Sequence, residues 1–269
     1  MLRATSKSLE KAKTLAPVHP NQGTQAIFRR RLDKLIKEMH DSVMYWVQAS
    51  YKANEPEIAQ DELPAAALQK VLKKLGRRWE KKFKELGPKL AEYYAKSADM
   101  RSRKQLEQML SDHGMSVKFK MTRPMQDVMK ASIEEQVKLI SNIPQQYFTQ
   151  VQGAVMRSVQ TGRDLNQLSK DLQKRLKIEK KRAALIARDQ NNKMTANFVR
   201  VRQQELGIKQ AIWVHSLGGK VPRPSHKKND GKPYDVEKGW YDPDEGEYIQ
   251  PGMLINCRCV SRSIIPGFE

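Results

Sequence analysis

The sequence predicts an α+β protein in which a mostly α-helical, elongated N-terminal part precedes a small, turn-rich C-terminal α+β module. Three observations predict it. Apolar residues recur at three- and four-residue intervals along most of the chain up to Leu206, the mark of amphipathic helices. From Lys209 that period stops and turn formers crowd in, among them Gly218, Gly219, Pro222, Pro224, Gly231, Pro233, Gly239, Pro243, Gly246, Pro251 and Gly252. The chain has 269 residues, 39% of them hydrophobic, enough for one large or two ordinary domains with a buried core.

Four regions follow in order. Residues 1–23 are polar, lack an apolar period and contain Pro17 and Pro20, which reads as an extended arm that docks on something or stays mobile. Residues 24–125 form a helical region. Its first helix, Thr24 to about Tyr51, carries Ile27, Leu32, Leu35, Ile36, Met39, Val43, Trp46 and Val47, and is closed by Asn54-Glu55-Pro56. A second starts near Pro64, is interrupted at Gly87-Pro88 and resumes through Leu90, Tyr93 and Tyr94. Ser116 to Met121 reads as a short β-like run.

Residues 126–208 form a helical connector. A new helix is expected from Pro144, ending at Thr161-Gly162, and a short one from Asp164 to Leu176 with Asp164 as its N-cap. A last helix spans Glu179 to Leu206 and is closed by Gly207. Residues 209–269 form the compact module, whose best strand candidates are Ala211 to His215 and Cys257 to Ile265.

Charge narrows the function. Fifty Lys and Arg against thirty Asp and Glu give a net charge of +20, which excludes a neutral surface and favours a polyanionic partner. Between Val151 and Arg200 there are twelve basic residues against four acidic ones, and Lys174, Arg175, Lys177, Lys180, Lys181 and Arg182 crowd one junction. Such a cluster binds phosphates by counterion release, and the lack of interleaved aromatics points to nonspecific double-stranded DNA rather than base reading. No window approaches the roughly 18 apolar residues of a membrane span, and Met1 to Lys7 leads into charges rather than the apolar core of a secretory signal. Only two cysteines occur, Cys257 and Cys259, one residue apart; that spacing strains a disulfide, so synthesis in a reducing cytoplasm is expected.

The chemistry-bearing residues sit in the last module. His226, Cys257 and Cys259 are soft enough donors for zinc, with His215, Asp230 or Asp242 as a fourth. The plainer and favoured alternative is that they pack and hydrogen-bond, because structural zinc sites usually use a wider Cys spacing and Cys-x-Cys puts both side chains on one strand face. Arg223 and Asp230 are then expected to brace His226 in a polar network. No base oriented by a third group accompanies the cysteines, so the module is read as non-enzymatic, with no required cofactor. The enzyme alternative is a metal-dependent, nuclease-like DNA-processing site built from His226, Asp230 and the Cys pair.

In order, Ile186-Ala187-Arg188-Asp189, Trp213, Arg223 and His226 with two residues between them, Asp230-Gly231, Pro251-Gly252 and Cys257-Arg258-Cys259 resemble the phage Mu protein F-like family of minor head and head-morphogenesis proteins. The resemblance covers about residues 130 to 265, with Gly219 where several members carry Asp. It implies a structural role for Trp213, Arg223, His226, Asp230, Gly231, Cys257 and Cys259. It also implies a low-copy protein inside the phage head near the portal vertex, aiding head morphogenesis and DNA packaging or ejection. The partners expected on that basis are the portal protein, the capsid interior and DNA, with residues 24–125 as the attaching region and no membrane.

Overall fold

The computed structural model describes residues 14–53, 64–161, 164–217 and 221–265. Met1 to Lys13 of the arm, the Asn54-Glu55-Pro56 break, Gly162, Gly218 and Gly219 lie outside them. Four long helices, α1 (Gln22–Ala53), α2 (Pro64–Asp112), α3 (Arg123–Gln160) and α4 (Leu165–Glu205), precede β1 (Gln210–Val214), the short α5 (Pro224–Lys228), β2 (Pro233–Asp235), β3 (Trp240–Asp242), β4 (Glu247–Ile249) and β5 (Val260–Ser263). The α+β class read from the sequence is thus the class observed, and none of these helices is long and apolar enough to cross a membrane.

The chain divides into two compact units, one of residues 1–25, 94–132 and 188–269, the other of residues 26–93 and 133–187. Every element described in the second is a helix. The apolar stripe of α1 (Phe28, Leu32, Ile36, Met39, Val43, Val47) is buried there with Leu72, Trp79 and Phe83 of α2, Ile140, Tyr147 and Val151 of α3 and Leu172 of α4. Polar pairs fix the packing: His40 Nδ1 lies 2.8 Å from the Tyr147 hydroxyl, and the Tyr51 hydroxyl donates to Ser158 at 2.8 Å. Most of the stripe on α1 is thus covered within this unit, while Trp46, which the sequence places on the same stripe, is exposed beside Tyr45.

Three helix breaks expected from the sequence are absent. Pro88 and Pro144 lie inside continuous helices. A proline in a helix interior costs about 3 kcal/mol through a lost backbone hydrogen bond and a ring clash. Burial of Phe83 and Ala91 around Pro88, and of Ile140, Ile143, Tyr147 and Phe148 around Pro144, outweighs that cost. Gly87 itself faces α3 without being required there, since an added Cβ would meet Ile140 at an ordinary 3.5 Å. The predicted gap between Leu176 and Glu179 also closes, because α4 contains neither Gly nor Pro and Glu179 is buried within it. Asp164 does cap this helix, its Oδ1 accepting the Gln167 N–H at 2.9 Å.

In the other unit α4 ends at Gly207, whose φ of 72° is the left-handed turn that closes a helix. The chain then enters an antiparallel sheet of order β2-β1-β5, with Ala211 opposite both Tyr234 and Ser263. A separate β3-β4 hairpin pairs Tyr241 with Tyr248. The described part of the arm docks on this unit: Thr14 bridges to Ile264, the Leu15 N–H donates to Ser263 O at 3.0 Å, and Leu15 and Val18 are buried with Leu106, Leu110, Val199 and Ile265. The β-like run does not form a strand. It stays extended, but the Phe119 N–H is satisfied by Glu107 Oε1 at 2.9 Å and the Phe119 ring by the same cluster, so no ladder forms.

Candidate functional site

The module's core is built around Trp213 on β1, fully buried between Tyr234, Trp240 and the His226 ring, all in edge-to-face contact at 5.1–5.8 Å between centroids. Pro224 opens α5, the position where a missing N–H costs nothing, and two residues later His226 points into this core, 2% exposed. The Asp230-Gly231 turn brings the chain back: Gly231 takes a φ of 76° and its N–H donates to Trp213 O at 2.8 Å.

Cys257 and Cys259 approach from the opposite side, just before β5, and both are buried. Residues of α4 hold this segment. Asp189 Oδ1 accepts the Asn256 N–H at 2.8 Å, Arg188 donates to the Asn256 side chain at 2.7 Å, and Asn192 donates to Cys257 O at 3.0 Å. Asn256 takes a left-handed φ of 62°, which turns the chain inward immediately before Cys257. Gly252 lets the Pro251-Gly252 turn lie against the same helix, since a Cβ there would stand 3.0 Å from that of Ala196 at a φ of 80°.

The result is a compact polar centre inside an aromatic shell. His226 Nδ1 lies 3.6 Å from Cys257 Sγ and 3.5 Å from Cys259 Sγ, and donor atoms of the three residues all fall within 4.8 Å of one another. On the far side of the ring Nε2 lies 3.2 Å from Asp242 Oδ2, short of full hydrogen-bond alignment. Asp242 is fully buried and is held by the Ser225 hydroxyl at 3.2 Å and the Asp244 N–H at 3.0 Å. The neighbouring Cys259 thiol, aided by His226, lowers the Cys257 thiol below its ordinary range against the opposing effect of burial. The same pairing and its own burial push Cys259 up.

The expected residues are therefore only partly together. Trp213, His226, Cys257 and Cys259 converge. Arg223 and Asp230 do not brace His226: Arg223 reaches Glu245 at 3.4 Å and Ile255 O at 3.3 Å, and Asp230 accepts the His215 N–H at 2.8 Å. Of the three candidate fourth donors, His215 accepts the Leu217 N–H through Nδ1, and Asp242 faces the opposite nitrogen of the imidazole from the sulfurs. Sequence reading missed Ser225, Asn192 and the clamp by Asp189, since single polar residues on a helix leave no mark in the apolar period.

The basic cluster lies in the all-helical unit and splits by helical geometry. At 100° per residue, Lys174, Lys177, Lys180 and Lys181 fall within an arc of about 120°, whereas Arg175 and Arg182 lie on the other side. Arg182 is bound to Gln146 and Asn142 of α3 and lies 3.9 Å from the buried Glu179, to which Arg175 also contributes positive potential. Burial holds the Glu179 carboxyl above its usual range despite these arginines.

Comparison with known proteins bears on this C-terminal half. Residues 149–262 match the sequence model of the family described as Phage Mu protein F like protein, as the ordered motifs imply. The chain is also similar, at 29% identity over 96% of its length, to an uncharacterized protein of Haemophilus influenzae, of which it spans 57%. No solved structure matches it.

Proposed function

From a Mu F-like sequence over residues 149–262, we propose that this chain is a structural head-morphogenesis protein of a tailed bacteriophage, resident in the virion. Its place is inside the procapsid beside the portal, in few copies, where it aids head assembly and the packaging or ejection of double-stranded DNA. The carrying observation is that family match, which reaches from the α3–α4 helices through the whole Trp213, His226 and Cys257/Cys259 core. A net charge of +20 supports residence beside packed DNA, and the lysine stripe of α4 supplies a surface for sequence-independent phosphate contact.

The burial of the polar centre favours a structural over a catalytic role. His226, Cys257, Cys259 and Asp242 are each no more than 4% exposed, so no scissile group reaches them in this state. The nuclease-like alternative also loses Asp230, which is exposed and engaged with His215. The test is assembly: co-expression with the portal and capsid proteins of a phage encoding this chain, followed by imaging of labelled heads. Label at a single vertex in few copies is the expected result. Heads that form normally and exclude the chain would overturn the proposal.

A further inference from the structure

We propose that the polar centre of the C-terminal module is a zinc-class metal site whose protein ligands are His226 Nδ1, Cys257 Sγ and Cys259 Sγ. The distances carry the argument. Donors at the usual zinc–sulfur and zinc–nitrogen lengths around a tetrahedral ion stand about 3.6 Å apart, and two sulfurs about 3.8 Å. The sulfur-to-Nδ1 separations are 3.6 and 3.5 Å, and all three donors lie within 4.8 Å of one another.

The surroundings point the same way. Asp242 Oδ2 stands 3.2 Å from Nε2, and because a carboxylate only accepts, a small closure onto an Nε2–H would leave Nδ1 free to act as the ligand facing the two sulfurs. A carboxylate behind a ligating imidazole is how metal-bound histidines are commonly oriented. Three electron-pair donors thus converge on one point in a buried aromatic shell. A divalent ion satisfies all of them at once, whereas one thiol proton satisfies a single pair. Binding replaces both thiol protons, releasing up to two per ion, and leaves the fourth tetrahedral position to water or hydroxide. Thiolate ligands favour zinc over magnesium or calcium. Asp242 acts as a positioning residue, since it touches the imidazole and not the ion.

The test uses the full chain, without an affinity tag and purified without chelators, and this site is independent of the proposed place in the phage head. One zinc per chain surviving gel filtration is expected, together with tetrahedral cobalt absorption carrying a thiolate charge-transfer band when cobalt is supplied instead. Cys257→Ser and Cys259→Ser should each lose the ion. Asp242→Asn should keep the stoichiometry with affinity lower by about 10- to 100-fold. Substoichiometric metal with octahedral cobalt spectra in the unmodified chain overturns the proposal without reference to any variant. So does a Cys257–Cys259 disulfide in protein purified anaerobically, or full zinc retention when both cysteines are replaced by serine.

Discussion

Single residues of the module differ in what their loss costs. Trp213 touches His226, Tyr234 and Trp240 at once, so Trp213→Ala should destabilise this unit by about 3–5 kcal/mol, measured as a lower urea midpoint. Gly239 is tighter than any motif glycine: an added Cβ would stand 2.5 Å from Ile249 O at a φ of 90°, so Gly239→Ala should disrupt the β3–β4 hairpin. His40 gives a pH signature. Burial, reinforced by Lys37 and Lys180 and opposed by Asp41, holds its pKa below the ordinary 6.5. The unfolded chain therefore takes the proton first, and this site's stability is intact above about pH 6.5 and lost as the pH falls through it. His40→Gln should flatten that part of the stability profile between about pH 7 and 5, read from denaturant midpoints at each pH.

At the scale of elements, the apolar period revealed the helices and misjudged their ends. The stripe of α1 and the cap at Asp164 could be read directly, because a 3.6-residue period and an Asx cap are local. The fate of Pro88 and Pro144 could not, because burial by other helices decides it. The same limit holds at the site: Trp213, His226 and the two cysteines were legible by type and order, while the Asp242 pairing and the α4 clamp exist only once distant segments meet. Helical geometry also sharpens the DNA prediction. Replacing Lys174, Lys177, Lys180 and Lys181 by Gln should lower DNA affinity and reduce the salt slope by up to about 0.9 for each phosphate no longer neutralised. Arg175→Gln with Arg182→Gln should leave that slope unchanged and lower stability instead, because Arg182 is bound to α3. Filter binding across a salt series separates the two sets.

For the whole molecule, the described part of the arm, from Thr14, is packed into the fold. Leu15 is fully buried, so Leu15→Ala should cost about 2–5 kcal/mol, visible as a lowered thermal midpoint of its unit. The bridge from residue 14 to residue 264 also bears on how the protein is made. The all-helical unit is complete once residue 187 has left the ribosome, whereas the other needs segments from both before and after it. Translation order thus imposes folding order: helices first, with the aromatic module and its arm closing only after Ile264 emerges. Ribosome-stalled chains ending near residue 230 should accordingly show protease protection of the helical unit alone, and docking of residues 14–18 becomes a signal that synthesis has reached the far end of the sheet.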